Sequence, residues 1–278
     1  MAYLAAALAL VSASAQHSGA AVERLKAFET EHGRALPAAV REWYSLAEAR
    51  TILEPSDNGD HVYAVDELGG SATYYWPGDD DEWPEDLDEQ EERHFDPVAM
   101  GLLPFLEENQ GVYCLAVRLD GSDDPPVVLS WDGVQPDTWQ PHASRFSEWV
   151  HTRVWDLPLL RGSGTLKGGL KEVTAADLEV LARRLRERPS TTTDSPSPGP
   201  AQVWRRFAGT DAGDDQRVLL LSPHTDGGTW TVYFWAASDD LLVDLVTAVR
   251  SVLTLHGDLT PAHGPDDVAE RALERLNS

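Results

Sequence analysis

Ser222, His224 and Asp226 bring a hydroxyl, an imidazole and a carboxylate within five consecutive positions, the three groups from which an acyl-transfer nucleophile is built. Such groups normally converge from separate segments, and three of them around Pro223 form a turn first, so loop residues are the favoured reading and a hydrolase is the alternative. Gly162-Ser163-Gly164-Thr165-Leu166-Lys167-Gly168 has the composition of a phosphate cradle, but its offsets match neither the Walker pattern nor the dinucleotide fingerprint. A flexible linker is expected there instead. Asp79-Asp80-Asp81-Glu82 offers oxygen ligands to a hard cation but lacks the spaced acids and central glycine of an EF-hand loop. The nine histidines are scattered, with no His-Glu-x-x-His helix, and the single cysteine, Cys114, lies in the apolar run Val112 to Val117, where a buried, inert thiol is expected. These spacings lead us to expect no catalytic residue, no metal site and no cofactor.

One stretch reads as a contact surface. Tyr74, Tyr75, Trp76 and Trp83 are interleaved with Asp79 to Glu82 and with Glu85, Asp86, Asp88, Glu89, Glu91 and Glu92. Aromatic side chains contribute affinity when a contact desolvates them, and surrounding carboxylates steer and register a basic partner. The expected protein-binding residues are therefore Tyr75, Trp76, Asp79, Asp80, Asp81, Glu82, Trp83, Glu85 and Asp86. An acidic surface loop that tucks its tryptophans into its own core is the competing reading.

The whole-chain charge points the same way. Against 47 acidic residues stand 22 basic ones, a formal net charge of -25, which repels a phosphate backbone and excludes nucleic acid as a partner. It favours a basic protein, although at physiological salt the field reaches only roughly 8 Å from the surface. With 278 residues, 42% of them hydrophobic, and ten tryptophans, the chain can bury a sizeable core. A lone cysteine forms no internal disulfide and fits a reducing, cytoplasmic setting. Leu4 to Val11 is apolar and Ser12-Ala13-Ser14-Ala15 resembles a signal cleavage site, but no basic residue precedes the run and it is too short to span a bilayer. An alanine-rich first helix is expected, with no membrane association.

The elements that must position these residues follow from periodicity. Val22, Leu25 and Phe28 mark a helix that Gly33 can end, and Pro37 opens a second helix burying Val40, Trp43 and Tyr44. His61 to Val65, Leu102 to Glu107, Val112 to Leu119 and Val127 to Trp131 are strand-like runs separated by turn residues, and a helix carrying Phe146, Trp149, Val150 and Val154 would cover their sheet. Further on, Thr174 and Asp177 form a capping box, stretches from Val203, Arg217 and Thr229 read as strands, and Ser238 and Asp239 start a strong helix expected to end at Gly257. Asp266 to Leu276 is a final, weaker helix, and the Ser/Thr/Pro tract from Pro189 to Pro200 is a second linker. Residues 1–160 are expected to form one domain, 161–200 a linker region with one helix, and 201–278 a small α+β module.

Two stretches resemble the SUKH superfamily of Smi and Knr type proteins. The first runs from Phe28 through Gly33, Leu36 and Pro37 to Tyr44; the second is Leu103-Pro104-Phe105-Leu106-Glu107-Glu108-Asn109-Gln110-Gly111 with Leu119 to Val127 following. The resemblance covers residues 21 to 155 and departs after the second helix, where Leu46-Ala47-Glu48-Ala49-Arg50 replaces an Asn-Gly-Gly type turn. It implies an α+β fold, a SUKH-like domain with a central, mostly antiparallel sheet and packed helices, here followed by a smaller α+β portion. It also implies a non-enzymatic protein without cofactor that binds another protein. For bacterial members that means neutralising a toxin or nuclease domain, and for fungal relatives a regulatory scaffold role on host proteins.

Overall fold

The computed structural model describes residues 3–11, 16–47, 49–53, 60–69, 96–108, 113–130, 139–188, 203–209, 215–223 and 228–278, together with the backbone of 72–75 and 92–95. The chain divides into two compact units, Met1–His151 and Thr152–Ser278. The fold class is α+β, as expected, each unit having its own antiparallel sheet with helices.

In the first unit a short helix α1 (Ala5–Leu8) precedes α2 (Gly19–Glu31). Ser18 begins α2, its hydroxyl accepting from the Ala21 N–H, which satisfies one of the donors that a helix start leaves orphaned. Ala21, Leu25 and Phe28 form the buried face, and the chain leaves through Gly33 at φ 58°, a left-handed conformation glycine adopts without a Cβ clash. Glu29 then clamps the turn into α3 (Ala38–Tyr44). Its Oε1 accepts from the Leu36 N–H at 2.8 Å and from Arg41 Nη2 at 2.7 Å. Val40, Trp43 and Tyr44 are buried on α3, and a short α4 (Ala49–Leu53) follows where the familiar turn is missing. The apolar N-terminal run is built into this unit: Leu4 and Ala7 are buried, and the Glu42 carboxylate accepts from the Tyr3 and Leu4 N–H groups at 2.8 and 3.2 Å.

The sheet of this unit comprises β1 (His61–Val62), β4 (Leu102–Glu107), β5 (Cys114–Arg118), β6 (Val127–Ser130) and β7 (Gln140–Ala143), in the order β1-β4-β5-β6-β7 with every neighbour antiparallel. Pro104 lies inside β4, where it cannot donate to a ladder, and the register shifts between Pro104 and Leu106 to accommodate it. The shift leaves Phe105 against Phe146 and Trp149, edge to face, with ring centroids 5.4 and 4.8 Å apart. Phe146 and Trp149 open helix α5 (Phe146–Arg161), whose residues from Thr152 onward belong to the second unit. Two further strands, β2 (Ala72–Tyr75) and β3 (Glu92–Phe95), pair antiparallel on their own, Tyr75 opposite Glu92.

The second unit contains a six-stranded antiparallel sheet of β8 (Thr165–Leu170), β9 (Arg186–Arg188), β10 (Trp204–Ala208), β11 (Gln216–Leu221), β12 (Trp230–Ala236) and β13 (Leu255–Pro261), ordered β13-β8-β12-β11-β10-β9. Helices α6 (Ala175–Arg184), α7 (Asp239–Arg250) and α8 (Asp267–Leu276) supply Leu181, Leu242, Leu245, Val246, Val249, Ala269 and Ala272 to a core shared with Leu166, Leu170, Phe207, Val218, Leu220, Val232 and Phe234. The capping box of α6 is present as expected: Thr174 accepts from the Asp177 N–H while Asp177 accepts from the Thr174 N–H.

Two expectations are corrected in this unit. The glycine-rich stretch is no linker; it forms β8, an interior strand between β12 and β13. Its glycines serve close approach, because a Cβ on Gly168 would stand 2.6 Å from Leu259 Cδ2 and one on Gly169 would stand 3.1 Å from the His256 carbonyl. Likewise α7 ends at Arg250, and Gly257, at φ 78°, lies within β13. The buried residue Leu253 kept the apolar stripe going beyond the helix, which is why periodicity alone overran the boundary. Among the described residues no helix is long and apolar enough to cross a membrane.

Candidate functional site

Of the residues singled out for chemistry, the described ones, Ser222 and Cys114, hold structural positions. Ser222 accepts from the Val203 N–H at 2.8 Å through its hydroxyl, and its own N–H donates to the Val203 carbonyl at 2.9 Å, so it closes the β10–β11 pair. His224 and Asp226 lie outside the described residues. Cys114 is buried in β5, and burial, with the Glu107 carboxylate second, pushes its thiol up, away from the reactive thiolate. Among the described residues no group of three His, Cys, Asp or Glu side chains is placed to hold a metal ion.

For the acidic and aromatic stretch the structure supplies a frame. The β2–β3 ladder sets Tyr75 opposite Glu92, so the chain between them leaves and returns at one place. Tyr75 is described through its backbone alone, and Trp76, Asp79, Asp80, Asp81, Glu82, Trp83, Glu85 and Asp86 lie outside the described residues. From Thr51 to Glu92 the sequence contains no lysine or arginine. The charge is unevenly divided between the units: the first holds 29 of the 47 acidic residues but only 8 of the 22 basic ones. The field that would attract a basic partner therefore originates in the first unit.

A feature that sequence reading missed lies beside α2, α3 and α4. A cavity of about 150 Å³ is walled by the small residues Ala21, Ala47, Ala49 and Ala64 and by Tyr44, with Arg24, Arg50 and Tyr63 also lining it. Tyr44 is 2% exposed, and its hydroxyl has no hydrogen-bond partner among the described residues. Burial, with the Glu67 carboxylate second, raises the phenol far above its ordinary range and keeps it protonated. At the edge, Glu67 lies 3.9 Å from Arg50 and 3.4 Å from His61, while the Ala64 N–H donates to Glu67 at 2.6 Å. Helical spacing marks Tyr44 as buried but carries no information on whether its hydroxyl finds a partner, since that depends on what faces it from other elements.

The sequence of residues 19–152 matches the SMI1 / KNR4 family (SUKH-1), a span that ends one residue past the first structural unit. Residues 19–152 thus form a SUKH domain, consistent with a SUKH superfamily protein. No curated protein and no solved structure matches the chain. The SUKH match includes both motif stretches, the Gly33 to Pro37 turn clamped by Glu29 and the β4–β5 hairpin, together with the first residues of α5. The SUKH family is known for immunity-type proteins that bind protein toxins and is generally non-catalytic. In this chain the SUKH domain carries both the acidic excess and the cavity.

Proposed function

We propose that this chain is an immunity-type inhibitor whose SUKH domain binds and masks a toxin domain with a basic surface. The observation that carries the reading is the concentration of acidic residues in the unit that matches the family, 29 of 47, against an almost balanced remainder. A nuclease or similar enzyme presents a cationic surface to its substrate, and covering that surface with complementary negative potential stops turnover without any chemistry. The contact centres on the segment held by the β2–β3 ladder: Tyr75, Trp76 and Trp83 supply desolvated area, and Asp79, Asp80, Asp81, Glu82, Glu85 and Asp86 supply steering and register. The protein acts in the cytoplasm without cofactor or membrane, a setting that suits its unpaired, buried Cys114.

Affinity copurification from the native host, joined to a rescue assay against the product of the neighbouring gene, tests this. The expected result is a basic partner whose toxicity is relieved on co-expression. Copurification of housekeeping proteins without rescue would instead indicate a regulatory scaffold.

A further inference from the structure

Tyr3 to Val11 and Gln16 to Ser18 precede the span that matches the SUKH family, yet they are fastened to residues inside it. Tyr3 and Leu4 donate their N–H groups to the Glu42 carboxylate on α3 at 2.8 and 3.2 Å, and the Tyr3 hydroxyl donates to Asp123 in the β5–β6 connection at 3.2 Å. Further along, the Ala47 N–H donates to the Gln16 carbonyl and the Ser18 N–H to the Ser45 carbonyl, just past the end of α3. Joined in turn are α3 and the β5–β6 connection, the Ala39 N–H donating to the Asp123 carbonyl at 2.8 Å, and both belong to the stretches that resemble the family. Leu4 and Ala7, three positions apart, are each 1% exposed, whereas Ala5, Ala6 and Ala9 are exposed. A helix of one turn has no stability of its own, so α1 persists only while docked. Among the described residues this segment adds no strand to the five-stranded sheet.

We propose that Tyr3–Val11 is a detachable strap over a docking groove beside α3 and the β5–β6 connection, and that the vacated groove takes a segment of the same chemistry from a protein partner. That chemistry is an apolar side chain at the start of a helical turn, a small residue three positions on, and backbone N–H groups for Glu42. The N–H groups at a helix start have no partner within the helix, so the Glu42 carboxylate is a fitting acceptor for whichever segment lies there. Because it is tethered, the strap competes at a high effective concentration and sets a threshold that a partner segment must exceed. It also keeps an apolar groove covered until that partner arrives. The assignment stands on the strap's own contacts and holds whether or not the partner is a toxin.

The test uses the full chain, with a synthetic peptide of residues 2–11 as the probe. Leu4→Glu places a charge where the leucine is buried and should release the strap, so that amide exchange at residues 5 to 9 rises about a hundredfold while exchange in β4, β5 and β6 stays as it was. The peptide should bind this released protein saturably and the parent about a hundredfold more weakly, because the parent's own strap competes. The same peptide carrying Leu4→Glu should bind neither. Adding Glu42→Ala to the released protein should weaken the peptide by about tenfold, the scale of a hydrogen bond to a charged group. Should Leu4→Glu not fold, Leu4→Ala serves for the same measurements with a smaller release. Exchange rising in the sheet as much as in the strap, failure of Leu4→Ala to fold, or a released protein that binds no peptide would each make the segment an integral part of the core and overturn the proposal. Peptide affinity indifferent to Glu42→Ala would overturn the groove's placement beside α3.

Discussion

Asp156 and Arg206 form a bidentate ion pair in the second unit, Arg206 Nε and Nη2 donating to the two carboxylate oxygens at 2.8 Å each, with both side chains at most 6% exposed. Beside it Arg217 donates to the Trp155 carbonyl at 2.6 Å and stacks over the Trp155 and Trp235 rings. Arg206, Arg217 and Trp235 share the face of the sheet opposite the core, because Phe207, Val218 and Phe234 alternate with them along their strands. The sheet thereby fixes the second half of α5 through charge and stacking. Breaking a buried pair from one side strands the other charge, so Asp156→Ala should destabilise the second unit by about 3–5 kcal/mol, and Asp156→Leu with Arg206→Met should cost much less. Urea denaturation of the single and double variants measures the difference.

Gly168→Ala should cost about 1–3 kcal/mol, because the added methyl meets Leu259 at 2.6 Å inside a packed sheet. In a Leu259→Ala background the penalty should shrink, since the clashing atom is gone. A double-mutant cycle by chemical denaturation checks this. If β8 were a solvated linker, Gly168→Ala would be silent.

His142, on β7, has its pKa lowered to about 4 by burial. A histidine held neutral in the folded state gains its proton on unfolding, so its contribution to stability is present above the unfolded pKa of about 6.5 and is lost as pH falls toward 4. Folding stability should decline across that window by an amount on the order of 3 kcal/mol. His142→Gln should flatten the decline; an identical pH profile in the variant would assign it to other groups.

Glu42 should control the N-terminal segment. Glu42→Ala removes the acceptor for the Tyr3 and Leu4 N–H groups, at a cost of about 1–2 kcal/mol. Amide exchange at residues 4 to 9 should accelerate more than exchange in β5, because the lost bonds belong to one edge of the unit rather than to its sheet.

In the first unit, Trp83→Ala combined with Asp80→Asn and Asp81→Asn should weaken partner binding more than folding, and the association rate of the parent protein should fall as salt rises. Surface plasmon resonance beside thermal denaturation separates the two effects. Unchanged affinity would move the contact away from this segment.

Much of the fold was legible because its signals are short-range. The Thr174–Asp177 capping box, the Ser238 cap, the apolar period of α7 and the turn residues flanking β4, β5 and β6 each sit within a few positions of the element they define. The Gly33 to Pro37 turn and the β4–β5 hairpin were enough to indicate the SUKH domain before any coordinates. What the tertiary structure alone decided involves partners far apart in the chain. Whether Gly168 means a flexible linker or a crowded strand depends on Leu259, and whether Arg206 is solvated or buried depends on Asp156. The cavity exists because Ala21, Ala47, Ala49 and Ala64 come together around a tyrosine whose helical spacing announced burial and nothing more. Local propensity is written residue by residue, whereas the pairing of buried polar groups is set only when distant segments pack.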